Sequence, residues 1–293
     1  MDGIVVVNKE KGFTSHDVVN VIRKIFQQKK VGHTGTLDPD ATGVLPVCLG
    51  KATKTCDMLT FSDKCYRAKV RLGLTTDTQD ISGEVLSQSL VNVSENELLK
   101  AIDSFRGNIS QIPPMYSALK INGQKLCDLA RKGIEVERKP RDITVYSIEM
   151  SEFNGTEFVL DVHCSKGTYI RTLCHDIGQF LGCGAVMTEL QRTKSSVFTL
   201  DMTHTLDELK DLRLEERLNE ALIPTDYVFS HYPALTVNET VKKRLCNGAF
   251  CTIVKPLGTY RVYDGNGDFL CIAEVRKGEN KNIIKVVKAF YGN

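Results

Sequence analysis

Residues 65–73, CYRAKVRLG, alternate without a break. Tyr66, Ala68, Val70 and Leu72 fall on one side, and Arg67, Lys69 and Arg71 on the other. Successive side chains of a strand point to opposite faces, so the stretch predicts a half-buried strand with Tyr66 on its apolar side near one end. A chain with such a strand needs a sheet with a core against one face, and the rest of the sequence supplies the parts. GIVVVNK (3–9) reads as a buried strand, and SHDVVNVIRKIF (15–26) as a helix capped by Ser15 with Val18, Ile22 and Ile25 on one face. SENELLKAIDSFRG (94–107) opens with a capping box, Ser94 and Glu97, and stops at Gly107. DITVYSIEM and TEFVLDVHCS read as two strands joined through Asn154-Gly155, a hairpin signal. GTYIRTLCHDIGQFLG (167–182) reads as a helix with the stripe Ile170, Leu173, Ile177 and Phe180. Arg171 falls in its first turn, where the helix dipole disfavours a cation, so a fixed anion is expected beside it. MTELQRTKSSVFTL (187–200) predicts one more strand, and residues 206–222 an acidic helix.

The chain has 293 residues, 42 % of them hydrophobic and 25 % charged, which suits a soluble protein of one large or two unequal domains. No apolar run approaches the roughly 18 residues of a membrane helix, and the start, MDGIVVVNKEKG, reads as a strand rather than a leader. Ten cysteines are scattered from Cys48 to Cys271 with no C-x-x-C pair, the pattern of free thiols in a reducing cytoplasm. Charge is uneven. Residues 233–293 carry 10 Lys/Arg against 5 Asp/Glu, whereas residues 201–226 carry 8 acids against 3 bases. The division expected is 1–232 and 233–293, with the basic tail, a short helix and strands around a Gly-rich turn, offering a surface for a polyanion. Residues 115–141 hold 7 Lys/Arg and 3 Asp/Glu among Gly and Pro, and read as an excursion from the core able to clamp a nucleic acid.

VGHTGTLDPDATG (31–43) concentrates three glycines, His33, Asp38 and Asp40. A phosphate cradle of the P-loop kind needs a glycine spacing and a lysine that the stretch lacks. His33 with two aspartates is a sparse metal set, and no closing glutamate follows at calcium-loop spacing. Pro39 biases Asp38 towards an extended backbone, and the glycines permit tight turns and close approach of a ligand. On the residues alone the loop is either a plain turn or the mount of one carboxylate.

GHTGTLDPDATGVLPVCLGKATK resembles the signature of the TruB family, the bacterial tRNA pseudouridine-55 synthases. NKEKGFTSHDVV, KCYRAKVRLGLTTDTQD, IPPMYSALKINGQKLCDLARKG, CSKGTYIRTL and LGCGA resemble further family segments in the family's order, over residues 3–230. The resemblance implies an α+β fold: a mixed, largely antiparallel sheet flanked by helices, with a small β-rich, PUA-like domain at the C-terminus. It implies a cytoplasmic isomerase that flips uridine 55 out of the tRNA T-loop, with neither cofactor nor metal nor obligatory protein partner, acting on the T-arm and elbow. Asp38 becomes the catalytic carboxylate, as nucleophile or base. Arg171 is its ion-pair partner, expected to lower its pKa, and Tyr66 the tyrosine that stacks on the uracil. His33 fills the place of the flipped base, Leu190 lines the pocket, Lys9 supports the site or a phosphate, and Tyr169 joins the substrate-binding set. Segment 115–141 becomes a thumb-like insertion. Two positions depart from the family pattern: Glu10 stands where many members have Pro, and Gln191 where the family usually has Arg. The alternatives are a tRNA-binding chaperone with the same fold, or a related synthase acting on another RNA.

Overall fold

The computed structural model describes residues 1–292. Its first part runs β1 (Gly3–Lys9), α1 (Ser15–Ile25), β2 (Val31–His33), β3 (Thr42–Leu49), α2 (Cys56–Thr60), β4 (Lys64–Leu72), a ribbon of β5 (Leu74–Thr76) and β6 (Val85–Gln88), and α3 (Glu95–Ser104). There follow β7 (Gly107–Gln111), a second ribbon of β8 (Lys120–Ile121) and β9 (Gln124–Lys125), and α4 (Leu126–Ala130). Then come β10 (Arg141–Ser151), β11 (Glu157–Cys164), α5 (Ile170–Phe180), β12 (Ala185–Ser195), β13 (Phe198–Thr199) and α6 (Leu206–Leu214). The chain ends with β14 (Ala234–Thr236), α7 (Glu239–Cys246), β15 (Cys251–Thr252), β16 (Gly258–Tyr263), β17 (Phe269–Lys277) and β18 (Asn282–Ala289).

β4 is the middle strand of a sheet ordered β1-β3-β12-β4-β11-β10-β7, with β2 on β3 and β13 on β12. Only β3 and β12 run parallel; the other pairs are antiparallel. The sheet is therefore mixed and largely antiparallel. Ala68, Val70 and Leu72 are buried, and Arg67 and Arg71 are exposed. Val5 and Val7 of β1, Leu45 and Val47 of β3 and the apolar side of β4 meet Val18, Ile22 and Ile25 of α1 and Ile170, Leu173 and Ile177 of α5. The opposite faces of β1 and β3, Ile4, Val6, Val44 and Cys48, meet Phe229, Ile272 and Phe290. β1 is thus covered on both sides, which is why its sequence reads as a continuous apolar run. The tail forms a five-stranded sheet, β14-β16-β17-β18-β15, around its own core of Leu245, Val262, Cys271 and Ile284.

Four local expectations need correction. The cap of α1 is Thr14, which shares a capping box with Asp17; Ser15 lies inside the helix with its hydroxyl engaged elsewhere. The helix expected from residue 167 begins at Ile170, after Tyr169. The stretch 187–200 is a hairpin of β12 and β13, turned at Ser196 with φ 58°. The acidic helix stops at Leu214 instead of reaching 222. Glu216 takes φ 60°, Arg217 N–H donates to Leu212 O (2.7 Å) and Glu216 N–H to Arg213 O (3.1 Å), a Schellman stop built without glycine.

Candidate active site

The loop between β2 and β3 carries Asp38, and the first segment of the chain holds it on both flanks. Leu37 N–H donates to Ser15 Oγ (2.9 Å), which donates back to Leu37 O (3.3 Å). Pro39 O accepts from Gly12 N–H (2.9 Å) and from Lys9 Nζ (2.9 Å). Lys9 is fully buried and also donates to Glu10 O (2.9 Å) and Phe13 O (2.6 Å). An ammonium has three donors, and all three are used. Lys9 is therefore a tie between two loops, the support of the site that the resemblance implied, with its three donors engaged on carbonyls rather than turned to a phosphate. Burial draws its pKa down to about 8, against the pull of Asp38 and Asp40. Because Lys9 uses only the carbonyl of residue 10, glutamate there leaves the tie intact.

Arg171 meets Asp38 at 3.0 Å through Nε and Asp80 at 3.6 Å through a terminal nitrogen. Its other donors go to Thr78 O (3.0 Å) and Tyr116 O (2.8 Å). This is the fixed anionic partner expected of a cation in a first helical turn. Arg171 lowers the Asp38 pKa, as expected, but the net shift is upward. Burial pushes the Asp38 carboxyl above its ordinary value; Arg171 opposes the shift and Asp80 adds to it. Desolvation here outweighs one guanidinium because that guanidinium is shared between two carboxylates. Asp80 is oriented in turn by Thr78 Oγ1 (2.8 Å), Ser82 N–H (3.0 Å) and Ser82 Oγ (2.6 Å).

Asp38 and Arg171 lie on the divide between two hollows of about 350 and 520 Å³, and Leu190 lines both. The smaller also contains Tyr66, Tyr169 and Arg192. Burial raises the Tyr66 phenol, with Arg192 opposing, so the hydroxyl is protonated at neutral pH. Tyr169 precedes α5, and the Gln111 amide holds its backbone from both sides (2.8 and 3.0 Å). His33 is half-buried at the end of β2 and lines neither hollow; its Nδ1 accepts from Gly35 N–H (3.3 Å). Burial and Arg192 lower its pKa, which leaves an uncharged ring. Asp40 is exposed.

Arg192 is 1 % exposed, donates to Val44 O (2.7 Å) and Gly35 O (3.2 Å), and has no carboxylate within ion-pair distance among the described residues. It stands opposite Tyr66 on β4 and Gly43 on β3. Gly43 has φ +99°, and a Cβ there would lie 2.3 Å from Arg192 O. The close approach that this glycine permits is therefore that of β12, a neighbouring strand. Gln191 points to the other face of β12, beside Thr42 and Arg67, so its departure from the family pattern leaves both hollows unchanged. Sequence reasoning missed Asp80, Arg192, Gln111 and the bond of Ser15 to the Leu37 backbone. Asp80 lay within a quoted family segment, and the first-turn arginine was its only signal. Among the described residues no group of three or more His, Cys, Asp or Glu could hold a metal, and no helix is long and apolar enough to cross a membrane.

Comparison with known proteins agrees with this geometry. The profile of the TruB family pseudouridylate synthases (N-terminal domain) matches residues 23–170, and that of the tRNA pseudouridylate synthase B C-terminal domain matches residues 171–230. The chain is 46 % identical to the tRNA pseudouridine synthase B of Alkaliphilus oremlandii over 99 % of both chains. It is 42 % identical to that of Clostridioides difficile over 99 % of this chain and 100 % of the relative. Among solved structures, a Cbf5-Nop10-Gar1 complex superposes with TM-score 0.73 at 29 % identity, covering 99 % of this chain and 85 % of that one. An H/ACA RNP bound to a substrate RNA containing 2′-deoxyuridine superposes with TM-score 0.73 at 26 % identity and the same coverage.

Proposed function

The chain belongs to the TruB family of pseudouridylate synthases, and from that membership we propose that it converts uridine 55 in the T-loop of tRNA to pseudouridine. One observation carries the reading. An Asp38–Arg171 ion pair borders a hollow of about 350 Å³ that also holds Tyr66 and Leu190, a set that suits one flipped base. Extrusion costs a few kcal/mol of stacking, and the uncharged ring of His33 offsets part of that cost by entering the gap. Tyr66 stacks on the uracil against the apolar wall of Leu190, with Tyr169 beside it. Asp38 acts in its ionised form, as a nucleophile at C6 or C1′ or as a base that assists elimination. The C1′–N1 bond breaks, the uracil rotates, and a C1′–C5 bond forms. The proton on C5 leaves and N1 gains one, so the reaction balances without oxidant or water. The Tyr66 hydroxyl takes part in that proton transfer. Arg171 keeps the carboxylate aimed.

In this reading the 115–141 insertion closes over the T-loop, the C-terminal β domain takes the acceptor side of the tRNA, and the enzyme works in the cytoplasm without an obligatory protein partner. An unmodified tRNA transcript incubated with the protein alone should acquire one pseudouridine in the T-loop. Asp38→Asn should bind that transcript and form no product; full turnover in this variant would sink the assignment of Asp38. The likeness to Cbf5 complexes favours a second reading, a synthase that acts on another RNA. A T-arm hairpin without guide RNA separates the two, because only the stand-alone enzyme modifies it. Retained tRNA folding activity in Asp38→Asn would reveal a chaperone role beside the chemistry.

A further inference from the structure

The turn after α2 has a feature that the isomerisation does not use. Lys64 is 6 % exposed, and its ammonium donates to the carbonyls of Leu59 (3.4 Å), Thr60 (2.7 Å) and Ser62. Ser62 Oγ adds a bond to Leu59 O (2.6 Å), and Phe61 N–H one to Asp57 O (3.2 Å). A buried charge thus fixes the conformation of a five-residue turn. Yet the largest side chain of that turn, Phe61, is 61 % exposed, so the rigidity serves no core contact of its ring. The ring meets Lys166, whose Nζ lies 3.8 Å from its centroid. Thr60 and Lys64 line the smaller hollow from one side, and Ser165, Gly167 and Thr168 from the other. Phe61 and Lys166 therefore stand on its rim, the ammonium over one face of the ring and the rest of the exposed ring left to water.

We propose that Phe61 and Lys166 form a second nucleotide site, in which an unpaired nucleotide neighbouring the uridine in the hollow lays its base on the Phe61 ring and its phosphate against the Lys166 ammonium. The site rests on the reading of the hollow as the uridine pocket. A nucleotide carries a π-face and an anion within a few ångströms of each other, which is the complement of this pair. An apolar peptide would leave Lys166 without a counter-charge, and an acidic one would leave the ring unstacked. Aromatic stacking combined with a nearby cation is the general chemistry of single-stranded nucleic acid recognition. Because Lys64 presets the turn, the RNA does not have to order it on binding.

Affinity for unmodified tRNA and the kinetic constants of the full-length protein decide the matter. Phe61→Ala and Phe61→Leu should each raise Kd about ten-fold, while Phe61→Trp should keep wild-type affinity. The loss should fall on KM far more than on kcat. Lys166→Ala should weaken binding and lower the slope of log Kd against log salt by about 0.7, the value for one phosphate contact on a single strand. Melting temperature monitors folding, and both side chains are exposed enough to be replaced without loss of the core. Wild-type affinity in Phe61→Ala and Phe61→Leu, or Phe61→Trp binding as poorly as Phe61→Ala, overturns the site. A wild-type protein that binds tRNA without forming pseudouridine overturns the function instead, and the affinity series still decides the site.

Discussion

The Asp38 loop and the 115–141 insertion border the same cleft and are built in opposite ways. Around Asp38, the side chains of Lys9 and Ser15 and the backbone of Gly12 hold the residues on either side, and two of these anchors are buried. The insertion contains a ribbon of two two-residue strands and a five-residue helix, and it buries little beyond Ser117, Leu126 and Leu129. Near its root, Tyr116 hydroxyl donates to Asp77 (3.1 Å) and Tyr116 O accepts from Arg171 (2.8 Å). Arg171 thus touches both sides. The difference teaches where rigidity is needed: the side that positions the Asp38 carboxylate is over-determined, and the side proposed to close over the RNA is held by fewer buried contacts.

Gly43→Ala should break the rigid side most severely. It combines φ +99° with a Cβ 2.3 Å from Arg192 O, and should cost about 3 kcal/mol or more. A wild-type urea midpoint would show that the β3–β12 approach does not set this side. Next in size, Arg171→Met should lower kcat about 10²-fold or more. It should also move the acid limb of the pH–rate profile upward. Burial already raises the Asp38 carboxyl, and the variant removes the charge that opposes this. The ionised form is then lost at a higher pH as acidity increases. An unmoved limb would mean that a group other than Asp38 controls it. Ser15→Ala leaves the Leu37 N–H without its partner and should cost about 1–3 kcal/mol, with a drop in kcat on the order of ten-fold from a displaced Asp38. Single-turnover rates would register it. Tyr116→Phe should do least: stability within about 1 kcal/mol and faster amide exchange in the insertion alone. Equal acceleration in residues 34–41 would show that the two sides are not mechanically distinct.

What was legible in the sequence was local or periodic. The β4 alternation, the Ser94–Glu97 capping box, the Asn154-Gly155 hairpin and the demand of Arg171 for an anion each depend on residues a few positions apart. The site needed the family resemblance because Asp38, Tyr66, Arg171 and Leu190 meet only through the fold. What stayed hidden is non-local. Ser15 has the chemistry of an N-cap, and only the distant Leu37 backbone shows that its hydroxyl is engaged elsewhere. Arg192 sits in a strand pattern that gives no hint of a buried, unpaired guanidinium. Asp80 is one acid in a polar turn until Arg171 arrives from α5. The direction of the Asp38 pKa depended on how much water the cleft removes, which no spacing encodes.

The one parallel pairing of the large sheet, β3 with β12, also bears on the order of events during synthesis. Val44 and Arg192 are 148 positions apart. At about 5–20 residues per second, a ribosome needs roughly 7–30 s to deliver the second after the first. Through that interval β1 and β3 have each other, but the edge of β3 that β12 will cover is open, and Asp38 has neither Arg171 nor the wall of Leu190. The enzyme is therefore born late: the proposed Asp38 centre closes only after two thirds of the chain has been made, and the nascent N-terminal half is where a ribosome-associated chaperone has most to protect.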